Sequence, residues 1–503
     1  MNTRKIPNPL TVIVVIILLI IINIYPVFAE VTDNNINFGK IDEFVISKMK
    51  SERIPGVSLA IVKGRDVIYL KGFGVDGKKQ PVNPQTPFVL GSVSKSFTGL
   101  AIMQLAEDEK IDLDAPVVKY LNSFTTKNAQ ASNKITIKQL LGHTSGFSTY
   151  DGREILLNDN ISIEQVTRNL KNTNLNNSLL FQYSNINYVL LGDIIQTVSG
   201  IPYGEYIEKN IFEPLEMINS YTNQKEAIEK GFTSGYKSYF GFILPRRQAN
   251  HEGSVPAGYL ISSAEDMSHY LIAQMNDGFY NNNSIISKNG MDQTHSPISF
   301  GSDYGMGWGI ERSRYVFSHS GDTENFHSDI RVNKHEGLGI VILFNSNDYI
   351  TSSVLTNSNI YSHITDGILA IIHNKEPFYP KSKFNISLIR SLFNVAYIVI
   401  LLLLALDIFK VFRWKNKFKR SKLRISFRFF SILIVNLMIP IGIVFILPDI
   451  LANRFLISIR MIMLLIPDFA LLFVLIPTIL FASGIAKTII LLSFSKTTIS
   501  KER

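Results

Sequence analysis

Ser92 and Lys95 could form a reactive pair. They stand three residues apart at the start of a segment with helical apolar periodicity. On a helix the amine would therefore lie one turn from the hydroxyl and could take its proton. The N–H groups of a helix start also favour negative charge on oxygen. The same spacing recurs at Ser47/Lys50, Ser234/Lys237 and Ser493/Lys496. Taken alone, Ser92 is thus more typical of a helix N-cap than of a nucleophile.

Two further motifs strengthen the catalytic interpretation. Tyr183-Ser184-Asn185 precedes a helical pattern over 187–198, where a phenol could accept a proton and an amide could orient a substrate carbonyl. His319-Ser320-Gly321 precedes a predicted strand over 328–332, where a hydroxyl and an edge N–H could meet a peptide-like ligand. The three motifs in this order predict a site in which an amine and a phenol activate one alcohol.

Strand patterns on both sides of a helical region must position these motifs. Residues 57–62 and 67–73 are joined by a hairpin signal, and residues 328–332 and 338–345 form two further strands. The last is a continuous apolar run, which suits a buried central strand. Residues from 93 to about 300 have helical periodicity. We predict an α/β fold: an antiparallel sheet flanked by helices, with an all-helical insertion.

The ordered motifs resemble those of the penicillin-recognising serine hydrolases, in the branch of class C β-lactamases, D-aminopeptidases and related esterases. Ser-x-x-Lys is the motif common to such enzymes, while Tyr-Ser-Asn and His-Ser-Gly replace Ser-Asp-Asn and Lys-Thr-Gly. The resemblance spans residues 40 to 350 and includes the blocks 135–146, 183–192 and 256–267. With its apolar tail, the chain also resembles membrane-anchored, methicillin-resistance-factor-like and penicillin-binding-protein-like members. This resemblance implies a β-lactamase/transpeptidase-like fold.

The resemblance also implies roles for individual residues. It makes Ser92 the acylated nucleophile and assigns proton transfer to Lys95 and Tyr183, leaving open which of the two is the resting base. It places Asn185 against the substrate amide. The third motif would complete the substrate-binding set by placing His319, Ser320 and Gly321 in the pocket wall. The backbone N–H groups of Ser92 and Asp322 would form the oxyanion hole.

The histidine of the third motif bears on the substrate. A lysine there would present a permanent cation, whereas His319 is mostly neutral near pH 7. We therefore expect weak preference for carboxylate-bearing β-lactams and better activity on peptides, amides or esters, including D-amino-acid peptides or other cell-wall components. Two alternatives stay open: a peptidase that trims prodrug peptides, and a module that binds β-lactams or cell-wall peptides without turnover.

The remaining histidines are expected to be structural. His143 lacks a Gly-x-Ser-x-Gly elbow around it. We expect His251, His327 and His335 in solvated loops. The sequence has no His-Glu-x-x-His pattern or similar acidic cluster, so neither a metal nor another cofactor is predicted.

Composition narrows the classes of protein further. The chain has 503 residues, 46% of them hydrophobic, and no cysteine, which excludes disulfides, thiolate metal sites and cysteine nucleophiles. The net charge is +9, but residues 378–503 carry 18 basic and 4 acidic side chains. The remainder is mildly acidic, so a nucleic-acid partner is not expected.

The termini predict export and membrane anchoring. Residues 1–29 have the layout of a signal peptide, with an uncleaved anchor helix as the alternative. Apolar stretches at 392–409, 429–447 and 469–486 are each long enough to cross a bilayer. The basic loop at 410–428, between the first two stretches, is expected in the cytoplasm, because positive loops stay on that side of the membrane. Residues 30–377 would then lie outside, in a multi-pass protein of the cell membrane. Asp407 and Asp468 have no visible charged partner, so we expect them at the interfaces.

The predicted domains follow from these segments: a signal peptide at 1–29, a hydrolase domain at 30–374, a linker at 375–390, and three membrane helices within 391–496.

Overall fold

The structure is a computed structural model that describes residues 36–176, 180–298, 302–313, 315–348, 359–378, 386–414 and 430–499. The predicted signal peptide lies outside these residues, as do the centre of the predicted linker and most of the basic loop.

A six-stranded antiparallel sheet, in the order β2-β1-β12-β11-β10-β9, is the centre of the fold. The strands of the chain are β1 (Gly56–Lys63), β2 (Asp66–Gly74), β3 (Phe88–Val89), β4 (Gly235–Tyr239), β5 (Phe242–Arg246), β6 (Ile261–Ser262), β7 (Phe279–Tyr280), β8 (Asn283–Ser284), β9 (Gly309–Glu311), β10 (Val316–Asp322), β11 (His327–Asn333) and β12 (Leu338–Phe344). Strands from both ends of the domain meet where β1 pairs with β12, as the sequence predicted.

Helices cover both faces of this sheet. They are α1 (Phe38–Glu52), α2 (Ser94–Glu107), α3 (Ala129–Ser132), α4 (Ile137–Leu141), α5 (Thr149–Glu154), α6 (Ile163–Asn169), α7 (Asn185–Ser199), α8 (Tyr203–Ile207), α9 (Gln224–Glu229), α10 (Val255–Gly258), α11 (Ala264–Met275), α12 (Lys288–Thr294) and α13 (Ile360–Ile372). The insertion is mainly helical, but it also contains the short hairpins β4–β5 and β7–β8.

The alternation of side chains along β1 explains the two layers. Val57, Leu59 and Ile61 pack with α1 and α13 on one face, while Ala60 and Val62 face the larger core on the other. Each fully buried aliphatic side chain contributes about 1.5–3 kcal/mol. The apolar run of β12 is buried at every position, which confirms its predicted central place.

Three C-terminal helices are long and apolar enough to cross a membrane: α14 (Ile386–Trp414), α15 (Ile432–Phe455) and α17 (Pro467–Ile499). Their apolar spans are Asn394–Val411, Ile432–Phe455 and Ala470–Ile490. The second extends eight residues beyond the predicted end at 447. A short helix, α16 (Ile459–Leu465), connects it to the third.

One expectation about these helices is wrong. Asp407 of α14 has a charged partner, because Lys487 of α17 donates to it over 2.5 Å. Asn436 of α15 and Ser483 of α17 also donate to this carboxylate. The partners lie 29 to 80 residues away along the chain, so only helix packing brings them together.

Candidate active site

Ser92 lies in a tight turn before α2. Residues Gly91–Val93 form a 3-10 turn that leads into α2, and Gly91 has a φ of 54°. This left-handed conformation favours glycine. The Ser92 side chain is half-buried and reachable, whereas the first residues of α2 are buried. The turn therefore presents one hydroxyl at the edge of a rigid core.

Lys95 is fully buried, and its amine faces Ser92. Lys95 Nζ lies 3.1 Å from Ser92 Oγ. The amine also donates to Asn185 Oδ1 at 2.8 Å and to the Ala257 carbonyl at 2.5 Å. A neutral amine has two hydrogens and one lone pair. With both hydrogens directed at Asn185 and Ala257, the lone pair is left for the Ser92 hydroxyl.

Burial sets the resting protonation of this pair. It lowers the pKa of Lys95 well below its ordinary value of 10.5, because a buried cation loses its hydration. Burial raises the pKa of the Tyr183 phenol, because here the form that loses its hydration is the phenolate anion. Burial therefore favours the neutral form of both groups, and a neutral amine is a stronger base than a neutral phenol.

The Tyr183 phenol is beside this pair. The Lys95 amine lies 4.8 Å from the centre of the Tyr183 ring, and the Ser92 hydroxyl is near enough to affect the pKa of the phenol. Apart from the nearby Ser92 hydroxyl, Tyr183 Oη has no polar partner among the residues that the structure describes. A phenol in this position is available to a reacting group.

His143 supports Tyr183 from behind. Its ring is buried and lies 4.4 Å from the Tyr183 ring. Nδ1 accepts a hydrogen bond from the Ser184 N–H at 3.2 Å, and Asn187 Nδ2 lies 2.9 Å from the same atom. These contacts fit the predicted structural role, because they fix the loop that carries Tyr183.

Asn185 makes internal contacts that the sequence did not predict. It is the first residue of α7 rather than part of the preceding loop. Its Oδ1 accepts from Lys95, and its Nδ2 donates to the Gly152 carbonyl of α5 at 2.9 Å. One amide hydrogen remains for a substrate. Asn185 therefore orients the amine of Lys95 whether or not it also touches substrate.

The predicted oxyanion donors lie close together where β10 passes the Ser92 turn. A Cβ built on Gly91 would lie 2.5 Å from Asp322 N, and one built on Gly321 would lie 2.9 Å from Ser92 N. Glycine at both positions allows this approach. The neighbouring strand β9 pairs with β10 only over 316–318, so residues 319–322 form an edge that can face a substrate.

Gly321→Ala should therefore damage the oxyanion hole. The new Cβ would lie 2.0 Å from the Leu90 carbonyl oxygen, so the turn and the strand must separate. We expect turnover to fall by about 10²–10³-fold, the usual cost of losing one oxyanion donor. The measurement is kcat alongside the thermal unfolding midpoint.

Gly258→Ala is the matched control for this substitution. Gly258 adjoins the same turn, but its Cβ would meet only ordinary contacts at 3.7 Å or more. Equal kcat values for the two variants would contradict the proposed geometry.

His319 is neutral, and its ring lies beside those of Tyr183 and Tyr304. Its Nδ1 must carry the proton, because it lies 2.6 Å from the Ser320 carbonyl oxygen, which can only accept. Nε2 then accepts from the Tyr304 hydroxyl at 3.0 Å. Burial lowers the pKa of His319 to about 4, because a buried imidazolium loses its hydration. Both ring nitrogens are thus occupied within the protein, and Ser320 lies half-exposed between His319 and Gly321.

The Asp322 side chain turns away from Ser92. Its carboxylate receives hydrogen bonds from His327 Nδ1 and Asn347 Nδ2, both at 2.8 Å. Burial would raise the pKa of Asp322, but His327 and Asn347 lower it below its ordinary value. Asp322 therefore offers the site its backbone, and His327 helps to hold it there.

Two histidine predictions are wrong. His327 and His251 are buried rather than solvated, because each pairs with an acid: His251 Nε2 lies 2.6 Å from Glu324 Oε1. His335 is exposed, as expected.

The structure brings together all eight predicted site residues, which are Ser92, Lys95, Tyr183, Asn185, His319, Ser320, Gly321 and Asp322. Sequence reasoning missed Tyr304, which holds His319, and the Ala257 carbonyl, which holds Lys95. Ala257 stands in the 256–267 block, but a backbone acceptor has no residue-type signal. Tyr304 adjoins the glycine-rich stretch 305–309 and could have been suspected from that position alone.

An antiparallel sheet and a mainly helical insertion around a Ser-x-x-Lys turn define the β-lactamase fold of serine hydrolases and penicillin-binding proteins. Residues 41–363 match the Beta-lactamase family, and this chain belongs to that family.

Similar sequences and solved structures agree with this assignment. The chain is similar to protein flp of Staphylococcus aureus (strain N315), at 31% identity over 405 residues and 77% of each chain. Among solved structures, it is similar to the octameric penicillin-binding protein homologue from Pyrococcus abyssi, at 30% identity and a TM-score of 0.58, covering 69% of this chain and 79% of that one. FmtA from Staphylococcus aureus shares the fold at 22% identity and a TM-score of 0.54, covering 69% of this chain and 92% of its own.

Proposed function

We propose that the protein is a membrane-anchored extracytoplasmic serine hydrolase that acts on peptide, amide or ester bonds through an acyl-enzyme. The observation that carries the proposal is the half-exposed Ser92 hydroxyl, 3.1 Å from a fully buried Lys95 amine. An amine kept out of water costs stability, and a base for Ser92 is a chemical reason to keep it there.

The proposed reaction follows from the contacts of these groups. Lys95 takes the Ser92 proton as Oγ attacks the carbonyl carbon, and the N–H groups of Ser92 and Asp322 stabilise the oxyanion. As the bond to the leaving group breaks, the Tyr183 phenol gives its proton to that group. The Lys95 ammonium then returns a proton to Tyr183. The products of this step are the acyl-Ser92 ester and the free amine or alcohol.

The proposed location is supported by contacts at the ends of the apolar helices. Residues 153 and 237–240 of the catalytic domain contact the start of the α14 span, the end of α15 and the start of α17. These are the ends that the basic loop at 410–428 would place outside the cytoplasm.

The substrate acyl group should be uncharged near the site. His319 is neutral and both its ring nitrogens are occupied, so it cannot pair with a carboxylate. We expect that adding a carboxylate next to the scissile bond of an ester or amide leaves kcat/KM unchanged or lowers it. The measurement compares matched substrates with and without that group at constant ionic strength. A large preference for the carboxylate form would contradict this prediction.

Intact-protein mass spectrometry during turnover tests the proposed function directly. Full-length protein in detergent is mixed with a D-aminoacyl amide, a D-Ala-D-Ala peptide, a chromogenic cephalosporin or a short-chain ester. An acyl adduct on Ser92 together with product release supports the hydrolase. Absence of both the adduct and the product, with all four compounds, would instead favour a binding or sensing module.

A further inference from the structure

The β4–β5 hairpin exposes two large apolar side chains. Phe242 is 71% exposed and Leu244 is 49% exposed. They are two residues apart on β5, so both side chains lie on the same face of the strand. Neighbouring exposed apolar side chains are typical of a surface that contacts another apolar phase. The position of the hairpin indicates what covers these two side chains.

The tip of this hairpin contacts the ends of two apolar helices. The Phe240 N–H donates to Asp468 Oδ2 at 3.0 Å, and its carbonyl accepts from Asn394 Nδ2 at 3.0 Å. The Phe240 ring lies 4.8 Å from that of Tyr397. Asn394 is the first residue of the α14 span, and Asp468 precedes the α17 span by two residues. The tip therefore lies level with the ends of both spans.

The turn itself depends on these contacts. Phe240 and Gly241 have φ angles of 51° and 83°. A two-residue turn of this kind normally carries asparagine or aspartate before glycine, and the left-handed region is unfavourable for a bulky residue. The hydrogen bonds on both sides of Phe240 and its contact with Tyr397 compensate for that conformation.

A second set of contacts fixes the same side of the domain. Arg153 of α5 donates to the Phe455 and Leu456 carbonyls at the end of α15. Lys237 of β4 donates to the Leu464 carbonyl of α16 at 2.6 Å. The same ends of all three spans thus meet one side of the catalytic domain, which leaves little freedom to lift the hairpin away.

We propose that the β4–β5 hairpin binds the membrane surface, with Phe242 and Leu244 inserted into the interfacial region of the outer leaflet. The inference rests on the proposed membrane anchoring and adds a lipid contact made by the catalytic domain itself. Aromatic and aliphatic side chains at this depth gain from leaving water, while the polar backbone stays near the headgroups.

This contact bears on the catalytic site. The helix α5 that binds the end of α15 also supports the site, because Thr149 donates to the Tyr183 carbonyl and the Gly152 carbonyl accepts from Asn185. On this proposal, α5 holds the part of the site that carries Tyr183 and Asn185 close to the membrane surface.

Site-directed labelling can test the lipid contact, because the chain contains no cysteine. Single variants Phe242→Cys, Phe279→Cys and Leu402→Cys are labelled with one environment-sensitive dye in the full-length protein, reconstituted in lipid nanodiscs. Phe279 is the matched control, since it is 47% exposed on the other hairpin, β7–β8. Leu402 lies in the middle of the α14 span. Two lipid-attached nitroxides serve as quenchers in separate samples, one just below the headgroup and one near the end of the acyl chain.

We expect the shallow nitroxide to remove most of the emission at position 242 and the deep nitroxide most of the emission at position 402, while the dye at 279 keeps its emission with both. Equal emission at 242 and 279, with quenching at 402, would overturn the hairpin contact and leave the anchoring intact. Absence of quenching at 402 would overturn the anchoring, and the hairpin proposal with it.

Discussion

Ser92→Ala should reduce turnover by about 10⁶-fold, the loss seen when a serine nucleophile is removed from a hydrolase. The substitution removes only the hydroxyl of the half-buried Ser92, and the hydrogen-bond partner of that hydroxyl is the Lys95 amine. The variant should fold as the parent does, because no buried apolar group is lost. The measurement is kcat on the best substrate, with loss of the acyl adduct in mass spectrometry as a second readout.

Ser184→Ala is the matched control for this prediction. Ser184 belongs to the Tyr183 motif, and its buried hydroxyl has no hydrogen-bond partner within the part of the chain that the structure describes. We expect turnover close to that of the parent. Substantial activity in Ser92→Ala would reject Ser92 as the nucleophile, and with it the proposed acyl-enzyme.

Lys95→Met should reduce turnover by about 10²–10⁴-fold, the range for loss of a general base. Methionine has a similar length and suits a buried position, so the loss should appear in kcat rather than in folding. The parent should show activity that rises with pH through the pKa of Lys95, because only the neutral amine can accept a proton. Burial lowers that pKa well below 10.5, so the rise should lie well below pH 10.5 and be absent from the variant.

Lys237→Met is an unusually close control. Lys237 is also buried, also follows a serine by three residues, and has a pKa lowered to about 7 by burial and by the charge of Arg246. Its amine, however, donates to the Glu324 and Leu464 carbonyls. We expect a change in thermal stability with kcat preserved. If both variants lost kcat to a similar extent, the loss in Lys95→Met would be due to removing a buried amine and not to removing the contact with Ser92.

These two lysines show where sequence reasoning reaches its limit. Four Ser-x-x-Lys patterns occur in the chain, and the spacing alone does not separate Ser92/Lys95 from Ser234/Lys237. The resemblance selected the first pair because the other two motifs follow in order. The structure separates them by contacts, since Lys95 meets Asn185 and Ala257, residues 90 and 162 positions away.

The protonation of the site is likewise a tertiary property. The sequence left the resting base undecided between Lys95 and Tyr183, because a pKa depends on burial and neighbours rather than on residue type. The same holds for His319, whose tautomer is set by the Ser320 carbonyl and the Tyr304 hydroxyl.

The sequence by itself determined the layers of the fold and the three apolar helices, because the period of apolar residues encodes them locally. The eight residues of the candidate site came from the family resemblance that the three ordered motifs carry. Only the tertiary structure decided that Lys95 is buried against Asn185, that Asp407 is paired with Lys487, and that the β4–β5 hairpin meets the ends of the apolar helices. These contacts join segments that are far apart in the chain. They form only once the core has packed and brought those segments together.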